Sequence, residues 1–204
     1  MAAWSTFYPD LLTFVQACPE PLLNQELRRA AQTFFRRSRA WVQWLTPITL
    51  TSAVSYPLTL PTDAMVVRLE KATLDGKPIE LPNWRSFEAD PLAVPGQSSG
   101  ITTADRISVL LAQPYAAGGR LAVQAALAPS DAATTIPDDQ VAQHRDAILH
   151  GARSRLLLLP DKSFTNPQMA TLELGMFEDA IGVAQHQAYK GFGGQVPRMR
   201  FRSV

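Results

Sequence analysis

The chain has 204 residues, of which 46% are hydrophobic and 18% are charged. This composition excludes the disordered class, which combines low hydrophobicity with high net charge, and it supports one sizeable domain. Nineteen Lys and Arg against 18 Asp and Glu give a net charge of +1, which excludes general binding of polyanions by the whole molecule. Any contact with nucleic acid must therefore come from a local patch.

Cysteine content and hydropathy further limit the classes of protein to which this chain can belong. Cys18 is the only cysteine, which excludes an intramolecular disulfide and a cysteine-based zinc site. The first residues lack the basic start and apolar core of a signal peptide, and no apolar run approaches ~18 residues. We expect a protein that is made in the cytoplasm and does not span a membrane.

Residues 7–45 are predicted to hold two helices, because helical spacing runs from Pro9 to about Arg39 with a break at Pro19 and Pro21. The second helix is amphipathic, with an apolar face opposite a basic one. The apolar face carries Leu23, Leu27, Ala30, Ala31 and Phe34, and the basic side carries Arg28, Arg29, Arg36, Arg37 and Arg39.

Residues 46–128 are predicted to form a β-rich insert, because short β-branched or alternating runs are separated there by turn signals. The runs Pro47–Leu50 and Ser55–Pro61 are interpreted as the two arms of a hairpin. Asp75-Gly76 predicts a tight turn, and Gly118-Gly119 is interpreted as another hairpin turn. From Phe87 to Thr103 the proline, glycine and serine content predicts an unusually long loop, a feature that is commonly functional or contacts a partner.

Residues 138–190 are predicted to hold two more helices. Asp138 and Asp139 suit the first turn of one helix, and Pro160 ends it. The next helix begins with the pair Asn166-Pro167 and keeps a nearly unbroken apolar spacing of three and four residues up to Ala184. The four helices must pack together to bury their apolar faces.

Residues 191–204 are predicted to form an extended C-terminal arm, because three glycines and a proline precede an alternation of basic and apolar residues. That alternation comprises Arg198, Met199, Arg200, Phe201 and Arg202. It suits a strand that docks on a partner, with the apolar side chains in pockets and the arginines on acidic groups. A disordered terminus is the alternative interpretation.

The elements together predict an α+β fold. Residues 1–190 form a single domain with a helical core of about four helices, two N-terminal and two C-terminal, around the β-rich insert at 46–128. The arm at 191–204 lies outside this domain.

No local signature of catalysis or metal binding is present. The chain has no G-x-S-x-G nucleophile motif, and its three histidines, His144, His150 and His186, lack the spacing with Glu of helical zinc sites. Cys18 is interpreted as an ordinary apolar residue. We predict that the chain is not an enzyme, with no catalytic residue, no metal ligand and no cofactor. A small-ligand enzyme built on the β-rich insert is an alternative for which no residues can be named.

The five arginines of the second helix have two interpretations. A solvated helix side is the ordinary one, since charge opposite an apolar face is common. Contact with carboxylates or phosphates is the other, because the planar guanidinium fork suits both groups. A nucleic-acid-binding module that uses this face, followed at once by Trp41 and Trp44, is therefore the alternative function.

Seven short motifs occur in a distinctive order along most of the chain: Leu27–Trp41, Tyr56–Pro61, Leu74–Pro78, Arg106–Leu110, Leu121–Val123, Ile136–Asp139 and Asp146–Ala152. In this order they resemble the head-to-tail adaptor (connector) proteins of tailed bacteriophages, of the tail tubular protein A-like kind found in short-tailed phages. The long loop from Phe87 to Thr103 has no counterpart in that family that we can align, so its contact with a tail or a neighbouring subunit is a hypothesis.

The resemblance implies a structural virion protein at the head-tail junction. It would be a subunit of a ring, usually of twelve copies, that binds beneath the portal and joins it to the tail. In that family the helical core forms the ring, the β-rich part faces outward or toward the tail, and the C-terminal arm docks on the portal. Residues 198–202 are accordingly the expected portal-binding arm.

The partners that the resemblance implies are the portal protein, a nozzle or tail-tube protein of the tail, and further copies of the chain. Packaged DNA would pass through the channel without sequence-specific binding, and no membrane is involved. The face formed by Arg28, Arg29, Arg36, Arg37 and Arg39 becomes a candidate for the subunit interface or the DNA channel.

Overall fold

The computed structural model describes residues 1–89 and 100–191. This part of the chain mixes helix and sheet and contains four α-helices, which confirms the predicted α+β class. The helices are α1 Tyr8–Leu12, α2 Glu20–Ser38, α3 Asp138–Leu156 and α4 Pro167–Lys190. Two short 3-10 helices lie at Trp4–Phe7 and Trp84–Ser86.

Ten short to long strands complete the described fold. They are β1 Ala2–Ala3, β2 Val42–Trp44, β3 Ile48–Thr49, β4 Ser55–Pro57, β5 Ala64–Leu74, β6 Lys77–Pro78, β7 Ile101–Thr102, β8 Ser108–Leu111, β9 Arg120–Pro129 and β10 Thr135–Ile136. The main sheet has the order β2-β9-β5-β6, and β3 also pairs with β9. A second sheet has the order β4-β8-β7, and β1 pairs with β10. All of these pairings are antiparallel.

Helix α2 ends at Ser38 because Arg39 adopts a left-handed conformation, with φ of 54°, and its N–H closes the last turn on Phe35 O. The chain then places Trp41 in the core, where it is 3% exposed, and continues as β2 along β9. The structure thus has a strand at Val42–Trp44, within the range 7–45 that the sequence analysis assigns to helices.

The predicted hairpin between Pro47–Leu50 and Ser55–Pro61 is wrong. β3 pairs with β9 and β4 pairs with β8, so the two runs belong to different sheets. The physical reason is a competing backbone pairing at Leu50, whose N–H donates to Gly119 O at 2.8 Å and whose C=O accepts from Gly118 N at 2.9 Å.

The same contact explains why Gly118-Gly119 does not form a hairpin turn. The strands on either side, β8 and β9, lie in separate sheets, so the segment crosses from one sheet to the other. Gly118 has a φ of +89°, and a Cβ on Gly119 would lie 2.5 Å from the Tyr115 ring. Both positions therefore need glycine for reasons other than a hairpin.

Three local predictions are confirmed. Asp75 and Gly76 have φ of 50° and 79° and join β5 to β6 as a two-residue hairpin turn. Asp138 and Asp139 occupy the first turn of α3. The Asn166 side chain caps α4 by accepting a hydrogen bond from Met169 N at 3.1 Å.

One hydrophobic core joins the helices to the main sheet. α2, α3 and α4 pack against one another, and α2 also packs on β9. At the centre, the Phe34 and Phe35 rings meet edge to face with centroids 5.1 Å apart. The centroid of the Phe35 ring lies 5.9 Å from that of Trp41. The centroid of the Phe34 ring lies 6.4 Å from that of Phe177 on α4. Outside this core, α4 keeps exposed apolar residues such as Leu172 and Val183.

Candidate interaction surfaces

Arg37 joins two helices. Its guanidinium donates to both carboxylate oxygens of Glu178 on α4, at 2.5 Å and 2.6 Å. These hydrogen bonds raise the pKa of Arg37 and lower the pKa of Glu178 from their ordinary values. A bidentate pair of this kind fixes the orientation of both side chains, so Arg37 helps to position α4 on α2.

Three of the other predicted site arginines also have acidic partners within the chain. Arg39 pairs with Glu70 on β5 at 3.4 Å, Arg29 with Glu26 at 2.8 Å, and Arg36 lies 3.9 Å from the exposed Asp131. Arg28 is half-buried beside the N-terminal segment, where it lines a shallow cleft. The structure therefore brings these arginines to one helix but gives four of them carboxylate partners in the same molecule.

The predicted portal-binding arm, Arg198, Met199, Arg200, Phe201 and Arg202, lies outside the described residues, which end at Gly191. Most of the predicted loop from Phe87 to Thr103 also lies outside them, since residues 90–99 are not described.

Cys18 and two of the three histidines are placed in the core or in internal contacts, whereas His186 is exposed. Cys18 is buried, and burial raises the pKa of its thiol, which keeps it protonated and unreactive at neutral pH. Burial lowers the pKa of His144, whose ring packs on Phe34 with centroids 5.0 Å apart. His150 Nδ1 lies 2.6 Å from Glu173 Oε2. Among residues 1–89 and 100–191, no group of three or more His, Cys, Asp or Glu could hold a metal ion.

Helix α4 has a second apolar face that the sequence analysis did not separate from the first. Its buried face consists of Ala170, Glu173, Phe177, Ile181 and Ala184. Four large apolar residues instead form an exposed stripe: Met169, Leu172, Met176 and Val183, which are 37%, 53%, 44% and 58% exposed. At about 100° per residue they fall within an arc of roughly 60°. We call these four residues the α4 stripe.

The unbroken apolar spacing from Met169 to Ala184 was the available signal for this stripe. It covers more of the helix circumference than one contact face requires, because a single apolar face spans little more than about 100°. A helix with so wide an apolar surface has room for one internal and one external contact.

A groove of about 760 Å³ separates the end of α4 from the main sheet. Its walls include Arg39, Val42 and Glu70 on one side and His186 and Tyr189 on the other. Tyr189 is 89% exposed, and Val42 lies on the outer strand of the sheet. This region adjoins Gly191, the last described residue, from which the predicted arm continues.

A second groove, of about 450 Å³, lies between β5 and the segment that follows β7. Arg68, Arg106 and Trp84 are among its lining residues. Trp84 is 54% exposed and stacks on Phe87, with ring centroids 6.3 Å apart and an interplanar angle of 18°. None of these side chains was predicted from the sequence to belong to a site, because they come from three separate segments of the chain.

No protein-family model and no curated protein matches the chain. The resemblance to phage adaptors stays a prediction from the order of its sequence motifs. No helix within residues 1–89 and 100–191 combines the length and apolar character needed to cross a membrane.

Proposed function

We propose that this chain is a structural virion protein, a head-to-tail adaptor subunit that forms a ring beneath the portal and joins it to the tail. In this proposal α1 and α2 with α3 and α4 form the ring-building helical core. The β-rich insert faces outward or toward the tail, and residues 191–204 form the arm that docks on the portal. The observation that carries the proposal is the α4 stripe.

The α4 stripe supports assembly because its four side chains are long apolar groups on a rigid, well-capped helix. Isolated exposed apolar residues are common on protein surfaces, but a contiguous row on one helix face is typical of an interaction site. The buried face of the same helix already satisfies the core, so the stripe is not needed for folding. We infer that a neighbouring copy of the chain covers it in the ring.

Internal ion pairs also suit a subunit of an assembly. Arg37 and Glu178 hold α4 in a set orientation on α2, so the stripe is presented as a preformed surface. Preformed surfaces lose less conformational entropy when they bind. The arginines of α2 then contribute to the shape of the subunit, and those that remain partly exposed are available to line the DNA channel without sequence-specific contacts.

The test is the oligomeric state of the protein, measured by mass photometry with the protein alone and after mixing with its cognate portal protein. We expect the wild-type chain to join the portal as a ring of several copies. The double variant Leu172→Asp with Met176→Asp should fail to do so, because burying two carboxylates in an apolar contact is unfavourable.

Leu174→Asp is the matched control. Leu174 is 45% exposed on the same helix but lies on the other flank of its buried face, outside the α4 stripe. It should assemble like the wild type, and circular dichroism should show all variants folded. A wild-type chain that remains monomeric both alone and with the portal would refute the adaptor proposal. Normal assembly of the double variant would refute the stripe as the ring contact.

A further inference from the structure

The groove between the two sheets is bordered by strand edges. On one side, β9 occupies one edge of β5, while β6 and the residue after it bond to the other edge only at residues 72–74. The β5 residues Val67, Arg68 and Leu69 that line the groove therefore have no strand on that edge within the described part of the chain. Open edges of this kind present backbone N–H and C=O groups that can pair with another chain.

The opposite side of the groove is the terminal strand of the second sheet. β7 pairs with β8 on one side, and its other side is bonded to Glu80 O through Ile101 N at 3.0 Å. Beyond this bond the wall continues through Thr102, Thr103 and Ala104. The groove thus lies between β5 and β7, with residues 81–84 also lining it, and its volume of about 450 Å³ is within the range of protein ligand clefts, about 300–1,000 Å³.

Two arginines give this groove its charge. Arg68 and Arg106 both line it, both are exposed, and neither takes part in an ion pair within residues 1–89 and 100–191. They differ in this from Arg29, Arg37 and Arg39 of the α2 region, which have carboxylate partners.

Asp105, which directly precedes Arg106, already has hydrogen-bond partners in its own turn. Its carboxylate accepts hydrogen bonds from Ser108 Oγ at 2.7 Å and from the backbone N–H groups of Ile107 and Ser108. These bonds, led by the one from the Ser108 side chain, lower the pKa of Asp105 to about 2. The carboxylate is therefore charged at neutral pH and held by hydrogen bonds within its own turn.

Trp84 adds an apolar anchor at the same place. Its ring is half exposed but is held by stacking on Phe87, and Arg85 follows it on the same one-turn helix. Exposed tryptophan next to arginine is the composition typical of the residues that dominate protein interfaces.

We propose that this groove binds an extended acidic peptide segment of a partner protein. The segment adds its backbone to the open edge of β5, its carboxylates pair with Arg68 and Arg106, and an apolar side chain packs on Trp84. A peptide suits the groove better than a nucleic acid, because the edge of β5 along residues 67–69 offers backbone hydrogen-bonding groups that match a peptide backbone. The proposal does not depend on the adaptor function and holds for any partner with such a segment.

The probe is a fluorescein-labelled decapeptide of alternating Glu and Thr, and its binding is followed by fluorescence anisotropy. We expect saturable binding to the full-length protein that weakens as salt is raised. The double variant Arg68→Ala with Arg106→Ala should lose about tenfold or more in affinity, and Trp84→Ala should also weaken binding.

Arg120→Ala is the matched control, because Arg120 is an exposed arginine on β9 that is not among the residues lining this groove. Its affinity should stay within about twofold of the wild type, as expected for a site without contact to the ligand. A second probe replaces each Glu by Lys and should not bind.

A third probe, a ten-nucleotide oligothymidine, separates the two classes of ligand. Tighter binding of this oligonucleotide than of the acidic peptide, lost in the Arg68→Ala with Arg106→Ala variant, would overturn the peptide proposal in favour of nucleic acid. Absence of saturable peptide binding, or equal affinity of the double variant and the wild type, would also overturn it. Circular dichroism of each variant verifies that the fold is kept.

Discussion

At Gly151, α3 and α4 approach each other more closely than any side chain would allow. A Cβ at this position would lie 2.7 Å from the nearest atom of the Phe177 ring, a distance that requires the ring or the helix to move. Phe177 is 3% exposed and packs on Phe34, so the ring has little freedom to shift. Glycine is therefore needed here for packing, although it weakens a helix by itself.

Gly151→Ala should destabilise the protein by about 1–3 kcal/mol, as overpacking in a well-filled core does. The measurement is urea unfolding followed by circular dichroism. Gly182→Ala is the matched control on α4, because a Cβ there would meet nothing within 4 Å. It should leave stability unchanged or raise it by up to about 1 kcal/mol, since alanine favours helix. Equal effects of the two substitutions would contradict this account of the helix contact.

At the level of elements, α4 is attached by two glutamates in contrasting surroundings. Glu173 is 3% exposed, lies 2.6 Å from His150 Nδ1, and is 3.9 Å from Arg153 on α3. Glu178 pairs with Arg37 of α2 at the surface, where the two side chains are 44% and 49% exposed. Solvent screens the exposed pair of Arg37 and Glu178 but not the buried contacts of Glu173. The two glutamates therefore contribute different amounts to the free energy of unfolding.

Glu173→Ala should cost about 1–3 kcal/mol, because it removes the buried carboxylate that lies 2.6 Å from His150 Nδ1 and leaves that ring nitrogen without its partner. Glu178→Ala should cost at most about 1 kcal/mol, as exposed ion pairs do. Both losses of unfolding free energy are measured by urea unfolding at neutral pH. Only the loss for Glu178→Ala should become smaller as salt is added, because salt screens exposed charges. A larger loss for Glu178→Ala than for Glu173→Ala would show that the surface pair dominates the attachment of α4.

For the molecule as a whole, the folded core and the predicted arm are separate in sequence. The last buried residue of α4 is Ala184, and the helix itself ends at Lys190. We therefore expect the core of the described elements to form without residues 198–204.

Deleting residues 198–204 should leave the far-ultraviolet circular dichroism spectrum and the melting temperature unchanged. In the adaptor proposal it should also weaken binding to the portal, mainly through faster dissociation, because most interface changes act on the off-rate. Biolayer interferometry on immobilised portal measures this rate. Loss of helical signal in the truncated protein would instead assign the segment to the fold.

Local sequence signals located most elements because they depend on neighbouring residues alone. Helix periodicity, the proline break at Pro19, the Asn166 cap and the Asp75-Gly76 turn all correspond to features of the structure. Strand partners were harder to predict. β3 and β4 are close in sequence but pair with β9 and β8, because backbone hydrogen bonds have no sequence specificity and register depends on distant packing.

Apolar periodicity, helix-capping residues and turn residues by themselves determined that this chain is an α+β protein with four helices, since each of these signals acts over a few residues. Only the tertiary structure decided which surfaces are free. It gave Arg37 a partner on α4, left the α4 stripe uncovered, and brought Arg68, Trp84 and Arg106 to one groove. Which charges pair, which side chains stay exposed and which residues meet in a groove all depend on residues far apart in the chain. A local sequence pattern therefore cannot predict them.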